Sequence, residues 1–248
     1  MLVFVIPLKS PEASQNWQQV SRLCERTLRS VCAQSCPDFR VFLVCNQRPA
    51  LNFNHPALTI IEDKFPVPDA DWLSRERDRF SKVKVGLIAA RHHAPAHVMI
   101  MDADDCVHRD LAALACKWPN AHGWIFDVGY WHDEGTRWLL RFKGFDKQCG
   151  TSAIVRLEPC ELPSSLSEAN DHYFILKGHE KIRDLLRERG TPLAALPFSA
   201  IYITGNGENT SGFSVAKLRG RRMMLQRLIW TRPLTQNIRL AFGLYDLS

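Results

Sequence analysis

Four short apolar runs separated by amphipathic segments occupy the first hundred residues, and this alternation leaves few folds open to the chain. The runs read as buried strands at 2–7, 40–45, 58–61 and 98–101. Residues 16–34 carry apolar side chains at a spacing near 3.6, which predicts an amphipathic helix capped by Asn16, and 79–94 predict the next helix. Short β-α-β connections build parallel sheets with right-handed crossovers. The first half of the chain is therefore predicted to be α/β.

Three carboxylates follow the fourth run, where its strand leaves the core. The stretch VMIMDADDCVH contains Asp102, Asp104 and Asp105. Like charges this close repel one another, and each is costly to remove from water unless something positive neutralises it. A divalent cation bound by carboxylate oxygens is the commonest remedy, and open α/β sheets bind ligands at this edge. The alternative is an Asp-rich turn that caps the next helix.

The second half of the chain is mixed in character. Strand-like stretches lie at 123–131, 136–145 and 151–157. A helix is predicted at 171–190, and a strand enters a Gly/Asn-rich loop within 200–212. Earlier in the chain, the polar Pro/Asp/Arg-rich segment 66–79 predicts a mobile loop over a site.

Composition limits the class of protein. A hydrophobic content of 46% and a charged content of 23% are ordinary for a globular protein. No stretch reaches the roughly 18 to 20 apolar residues that span a membrane, and the N-terminus has no basic leader, so a cytoplasmic protein is expected. The eight cysteines are scattered without a C-x-x-C pair, which indicates reduced core thiols rather than disulfides or a zinc site.

The net charge of +6 belongs to the C-terminal segment. Residues 1–213 are neutral, whereas 214–248 carry seven basic side chains and one acidic side chain among bulky apolar residues. Such a basic amphipathic helix can lie on an anionic membrane surface, or it can pack back on the domain with its basic face in water. A different interpretation is a protein that binds nucleic acid or an acidic partner through this segment, although 1–213 show no nucleic-acid motif.

Two motifs, taken with the β/α order, resemble those of a known family. MDADD ends a strand at 101–105, and YITGNGENTS follows a late strand at 202–211. Over residues 2–212 the chain resembles GT-A-fold glycosyltransferases of the large inverting group, which use nucleotide-diphospho-sugars. The resemblance implies an α/β, Rossmann-like GT-A fold with a mixed central sheet and helices on both faces, followed by a basic helical tail.

The resemblance also implies a domain division and an activity. Residues 1–213 would form the transferase domain, with a donor-binding half at 1–106, an acceptor half at 107–213 and the tail at 214–248. The implied enzyme moves a sugar from a UDP-sugar to a carbohydrate or lipid-linked acceptor, with inversion. If the basic segment lies on a membrane, the enzyme would act at its inner face. Two alternatives on the same fold are a nucleotide-sugar-binding protein without turnover and a nucleotidyltransferase.

The resemblance assigns the carboxylates to a metal and a donor. Mn²⁺ or Mg²⁺ would bridge the two phosphates and stabilise the leaving diphosphate. Asp104 would ligate the metal, Asp102 would lie near the ribose or the sugar, and Asp105 would support the turn or contact the donor sugar. Asn206 stands where family members often place a metal-binding His, so it would be a weaker, neutral ligand.

Four further residues match the donor pocket of the family. Backbone groups of Pro7 and Leu8, after the first strand, would cradle the nucleoside. Asn46 replaces the Asp that usually reads the base or the ribose. Lys82, in the helix before the carboxylates, could reach a phosphate, and the alternative for it is a solvated helix face.

An inverting reaction needs a general base that deprotonates the acceptor hydroxyl. The resemblance points to Asp171, which opens the helix predicted at 171–190 and fits a helix N-cap equally well. Asp133 and Glu134 are alternates, for which a hairpin turn is the favoured interpretation.

Two histidines and a group of tryptophans are additional candidates for the site. His172 and His179 could complete the metal site, although a lone His in a helix is more often a surface or packing residue. Tryptophans can stack on the sugar rings of an acceptor, but core packing is their more frequent fate. The four in the acceptor half are Trp118, Trp124, Trp131 and Trp138.

Overall fold

The computed structural model describes residues 1–209 and 229–244. Its strands are β1 (Leu2–Pro7), β2 (Phe39–Cys45), β3 (Leu58–Glu62), β4 (His97–Ile100), β5 (Cys106–Val107), β6 (Gly123–Ile125), β7 (Val128–Asp133), β8 (Trp138–Lys143), β9 (Ala153–Arg156), β10 (Ala194–Ala195), β11 (Ala200–Thr204) and β12 (Thr231–Pro233). Its α-helices are α1 (Trp17–Cys32), α2 (Trp72–Arg91), α3 (Leu111–Lys117), α4 (His179–Glu188) and α5 (Gln236–Ala241).

A seven-stranded mixed sheet in the order β10-β6-β9-β4-β1-β2-β3 forms the larger part of the fold. The central strand β1 pairs in parallel with β2 and β4, so Phe4 lies between Val41 and Met99. β3 extends the parallel part, whereas β9 runs antiparallel between β4 and β6. β1 is buried along its whole length, as expected for a parallel strand covered on both faces.

Helices cover both faces of this sheet, and the alternation along β1 shows which helix lies on which face. Leu2, Phe4 and Ile6 pack in one buried cluster with α1 and α3. Val3 and Val5 pack in a second cluster with α2 and α4. The predicted α/β fold, a mixed central sheet with helices on both faces, is therefore confirmed.

Short polar side chains fix the starts of the first two helices. The side chain of Asn16 accepts a hydrogen bond from the backbone N–H of Gln19, as predicted. Asp71 caps α2 in the same way, so this helix begins at Trp72. Much of the segment 66–79, which was predicted to be a loop, is therefore helical.

The helix predicted at 171–190 is shorter than expected. Asp171 lies in a 3₁₀ turn, Asn170–His172, and a second 3₁₀ turn follows before α4 begins at His179. The interruption has a local cause, because Gly178 adopts φ 98°, which is outside the helical range. Asp171 is therefore not the N-cap of α4.

A second sheet of five strands, in the order β12-β8-β7-β11-β5, builds a separate small core. β12 pairs antiparallel with β8. Leu234, Phe242 and Leu244 are buried together with Ile201 and Ile203 of β11. The last described part of the chain thus belongs to the globular fold.

Of the two alternatives for the segment 214–248, the described part agrees with packing on the domain and not with a separate helical tail. Residues 231–244 contribute a strand and a short helix because their apolar side chains cover the second sheet. Residues 210–228 and 245–248, which include most of the basic side chains of that segment, lie outside the described residues. In the described part of the chain, no helix is both long and apolar enough to cross a bilayer.

The cysteines agree only in part with the prediction of reduced core thiols. All eight are free, and those at 24, 32, 45, 106 and 149 are buried. Cys36 and Cys116 are half-buried with their sulfurs 3.2 Å apart, and Cys160 is exposed.

Candidate functional site

A cavity of about 550 Å³ opens at the carboxyl edge of the parallel strands. Pro7 and Leu8 at the end of β1 line it, as do Asp102 and Asp104 after β4. Further lining comes from the first turns of α2, the loop after β11 and the start of α4. Small-molecule sites commonly enclose about 300 to 1,000 Å³, so this volume suits an organic ligand.

Asp102 faces the cavity in an ion pair with Arg79 of α2. Its Oδ1 lies 3.0 Å from Nη2 and 3.3 Å from Nε of Arg79. Its backbone N–H donates to the hydroxyl of Thr151 at 2.9 Å. Gly150 packs against the pair, since a Cβ there would lie 2.6 Å from Oδ2 of Asp102. The protein therefore neutralises this carboxylate itself, with a cation that the sequence pattern did not single out.

Asp104 also lines the cavity, but its partners are neutral. Its Oδ2 accepts hydrogen bonds from the side-chain amides of Asn206, at 3.2 Å, and Asn209, at 3.0 Å. Within residues 1–209 and 229–244, no basic side chain forms an ion pair with it. Burial, followed by the nearby charge of Asp102, raises the pKa of Asp104 to about 6. Asp104 is thus the cavity carboxylate with the clearest need for a cation.

Asp105 is fully buried behind these two residues and is not part of the cavity lining. It accepts hydrogen bonds from the Thr151 hydroxyl at 2.5 Å, the Cys149 thiol at 3.1 Å and the Ile203 backbone N–H at 3.3 Å. Burial, and then the neighbouring carboxylates, raise its pKa well above the usual value. These contacts fit the predicted support of the turn. A contact with the donor sugar does not fit a side chain without exposure.

Asn206 orients Asp104 and is not placed to ligate a metal, which corrects the expectation from the sequence. Its Oδ1 accepts hydrogen bonds from the backbone N–H groups of Glu208, at 2.8 Å, and Asn209, at 3.1 Å. These two donors identify the oxygen end of the amide, so the NH₂ group is the end that faces Asp104. The amide oxygen is therefore already used to hold the loop.

Glu208 ties this late loop to the beginning of the chain. Its carboxylate lies 2.5 Å from Lys9 Nζ, and it accepts hydrogen bonds from the backbone N–H groups of Asn16, at 2.6 Å, and Gln15, at 3.2 Å. Lys9 and Glu208 both line the cavity. Sequence reasoning missed both residues, because partners 192 to 199 positions apart leave no local signal.

Lys82 is fully buried and lines the cavity, so the solvated-face interpretation is wrong. Its Nζ lies 2.6 Å from the Asp78 carboxylate, and burial lowers the pKa of Lys82. The buried i,i+4 pair replaces hydration of the ammonium group. Asn46, by contrast, donates to the carbonyl of Phe65 at 2.9 Å and is not among the residues that line the cavity.

Of the remaining candidates, His179 lines the cavity at the start of α4. His172 is exposed in the 3₁₀ turn that also contains Asp171. Glu134 is 2.9 Å from Arg26 of α1, and Asp133 accepts a hydrogen bond from the hydroxyl of Thr204 at 2.7 Å. Both alternate candidates for the general base, Asp133 and Glu134, therefore have structural partners.

The four tryptophans of the acceptor half are not among the cavity-lining residues. Trp124 is buried, Trp131 stacks on Phe142, and Trp118 and Trp138 are exposed. The tryptophan that lines the cavity is Trp72, the first residue of α2, with 67% of its surface exposed. The polar segment 66–79 had marked this region as lying over a site, but Trp72 itself was not singled out.

A divalent cation fits the oxygen donors that line the cavity. Asp102, Asp105 and Cys149 have possible ligand atoms within 4.8 Å of one another. However, burial raises the pKa of Cys149 well above its usual value, and its thiol donates to Asp105. Mn²⁺ and Mg²⁺ prefer carboxylate oxygens to thiols. The residues suited to hold such an ion are therefore Asp104 and, once it is released from Arg79, Asp102.

Comparison with known proteins yields structural neighbours only. No family model matches the chain, and no curated protein matches it. Residues 1–349 of S. aureus TarS match at 15% identity over 69% of this chain and 52% of that one, with a TM-score of 0.37. A longer S. aureus TarS structure matches at 12% identity over 82% of this chain and 36% of that one, with a TM-score of 0.44. The chain thus spans about half of the length of the shorter TarS chain and less of the longer one.

A third neighbour is Francisella tularensis 2-C-methyl-D-erythritol 4-phosphate cytidylyltransferase (IspD). It matches at 13% identity over 92% of this chain and 98% of that one, with a TM-score of 0.44. At such identities and TM-scores, none of these neighbours assigns a residue role or an activity to this chain. The sheet order and the helices on both faces give the chain a mixed, Rossmann-like α/β fold.

Proposed function

We propose that the protein is a metal-assisted glycosyltransferase that takes a nucleotide-diphospho-sugar, most simply a UDP-sugar, and transfers the sugar with inversion. The observation that carries the proposal is the cavity shared by Asp102, Asp104, Pro7 and Leu8 at the carboxyl edge of the sheet. In open α/β sheets this edge is where nucleotide ligands bind. A carbohydrate or lipid-linked acceptor would enter the same cavity.

The charges around the cavity suit a diphosphate. The donor's leaving group gains negative charge as the glycosidic bond breaks, and a bound Mn²⁺ or Mg²⁺ would stabilise that charge. Asp104 would hold the cation, with Asn206 and Asn209 keeping its carboxylate in place through Oδ2. Lys82 and Arg79 lie on the α2 side of the cavity, each paired with a carboxylate. Pro7 and Leu8 would contact the nucleoside.

The acceptor hydroxyl must lose a proton to a base as it attacks, and we propose Asp171 for this role. It lies in the first of the two 3₁₀ turns that precede α4. Glu180, which lines the cavity in the first turn of α4, is the comparison residue.

The base assignment predicts different kinetics for two variants. Asp171→Asn should lower kcat by about 10²- to 10⁴-fold while leaving nucleotide binding unchanged, whereas Glu180→Gln should lower kcat far less. Steady-state release of UDP from a UDP-sugar, measured beside calorimetric UDP binding, separates the two effects. A larger loss of kcat in Glu180→Gln than in Asp171→Asn would assign the base to Glu180.

Product analysis tests the proposed reaction. The protein is incubated with Mn²⁺ and UDP-glucose, UDP-galactose or UDP-N-acetylglucosamine, with total carbohydrate and lipid extracts as acceptors, and the products are separated by mass. Release of UDP with formation of a glycoside supports the proposal. Release of pyrophosphate from a nucleoside triphosphate plus a sugar phosphate would instead identify a nucleotidyltransferase. Asp104→Ala is the matched inactive control.

A further inference from the structure

Three carboxylates that line the cavity are paired with basic side chains, whereas Asp104 of the Asp cluster is not. Lys82 pairs with Asp78 at 2.6 Å, and Lys9 pairs with Glu208 at 2.5 Å. Arg79 pairs with Asp102, which leaves Asp104 with amide partners only. A cation that reached the Asp cluster alone would therefore find Asp104 free and Asp102 occupied by Arg79.

The ion pair between Arg79 and Asp102 can be exchanged more easily than the neighbouring pair between Lys82 and Asp78. The side chains of Lys82 and Asp78 are 1% and 8% exposed, so separating them would strand buried charges. Those of Arg79 and Asp102 are 22% and 31% exposed at the cavity surface. Ion pairs with this much solvent contact contribute little net free energy and can be replaced by a better partner.

A diphosphate is that better partner for the guanidinium group. Both contacts of Arg79 go to Oδ1 of Asp102, so the pair is not the two-oxygen fork that arginine forms most strongly. Phosphate oxygens match the planar fork of a guanidinium. Arg79 lines the cavity beside Asp102, so a donor diphosphate bound at the Asp cluster would lie within its reach.

We infer that Arg79 is an exchangeable counter-ion of Asp102: it occupies the carboxylate while the cavity is empty and transfers to the donor diphosphate, which frees Asp102 for the divalent cation. This inference rests on the proposed function. The cation and the nucleotide then each bind weakly alone and strongly together. Because coupling between two ligands is reciprocal, each raises the affinity of the other by the same factor.

Removal of Arg79 should change the affinities for Mn²⁺ alone and for UDP in opposite directions. In Arg79→Gln, Asp102 loses its counter-ion, so Mn²⁺ alone should bind about tenfold more tightly than it binds the wild type. UDP in the presence of Mn²⁺ should bind about tenfold more weakly, because a phosphate contact is lost. Arg77→Gln is the matched control: Arg77 is exposed on the same helix, two residues away, and is not among the cavity-lining residues.

The test follows the free Mn²⁺ signal by electron paramagnetic resonance during titration of each metal-free protein, followed by calorimetry with UDP. A thermal melt checks that Arg79→Gln is folded, and Arg79→Lys, which keeps the charge, should retain the wild-type affinity for Mn²⁺ alone. Equal affinity for Mn²⁺ alone in wild type and Arg79→Gln would overturn the inference. Failure of the wild type to bind UDP with Mn²⁺ would instead overturn the proposed function, because the comparison with Mn²⁺ alone needs no nucleotide.

Discussion

At the scale of single residues, three neighbouring aspartates have three different environments. Asp102 has a cation, Asp104 has two amides, and Asp105 has a buried set of hydroxyl, thiol and backbone donors. The sequence predicted the cluster and its place at a strand end. It did not predict this division, because the partners come from α2, from the loop after β11 and from residues near β9, all distant in the chain.

The raised pKa of Asp104 predicts a stability that depends on pH. The ordinary value is 3.8 and the folded value is about 6, so between these values the folded protein holds a proton that the unfolded chain has released. Stability without metal should therefore fall as the pH rises through this window. Asp104→Asn removes the ionisation, so its melting temperature should exceed that of the wild type at pH 8, with the difference shrinking toward pH 4. A difference in melting temperature that does not change with pH would contradict the raised pKa of Asp104.

At the scale of elements, the sequence predicted which helices and strands exist better than it predicted their ends. The order of β1 to β4 with α1 and α2 follows from apolar periodicity. α2 begins earlier than expected because Asp71 supplies a cap, and α4 begins later because Gly178 interrupts the helix. Single residues that set such boundaries carry little weight in a pattern averaged over a turn.

The close packing of α2 on β1 predicts the effect of an alanine in this helix. Helix propensity alone favours Gly86→Ala by about 1 kcal/mol. However, a Cβ at Gly86 would lie 2.4 Å from Cγ1 of the fully buried Val5. Overpacking of this kind costs about 1 to 3 kcal/mol, so the variant should be less stable. Chemical denaturation measures the difference, with half-buried Ser81→Ala as the helix control. A gain in stability for Gly86→Ala would refute the close approach.

At the scale of the whole molecule, contacts between distant parts of the chain complete the site. Glu208 reaches Lys9 and Asn16, and β12 joins the second sheet. Composition placed an excess of positive charge at 214–248, a segment expected either to lie on a membrane or to pack on the domain. The apolar residues among those charges were compatible with either a membrane or the domain, and only the fold shows that 231–244 cover the second sheet.

Integration of the C-terminal segment predicts a large effect of one core substitution there. Phe242 is 4% exposed and packs edge-on against His108, whereas Leu240 is 43% exposed. Phe242→Ala should lower the free energy of unfolding by about 3 to 5 kcal/mol, and Leu240→Ala should change it little. Denaturant unfolding of both variants measures this. Equal, small effects would mean that the segment is not part of the cooperative fold.

The most direct test of the account is calorimetric titration of UDP into the protein with Mn²⁺, with EDTA, and into Asp104→Ala with Mn²⁺. We expect binding that needs the metal and that Asp104→Ala abolishes, because Asp104 is the carboxylate of the Asp cluster that faces the cavity without a basic partner. Lack of binding to UDP, and then to GDP and dTDP, with or without metal, would contradict a nucleotide-sugar site at the Asp cluster.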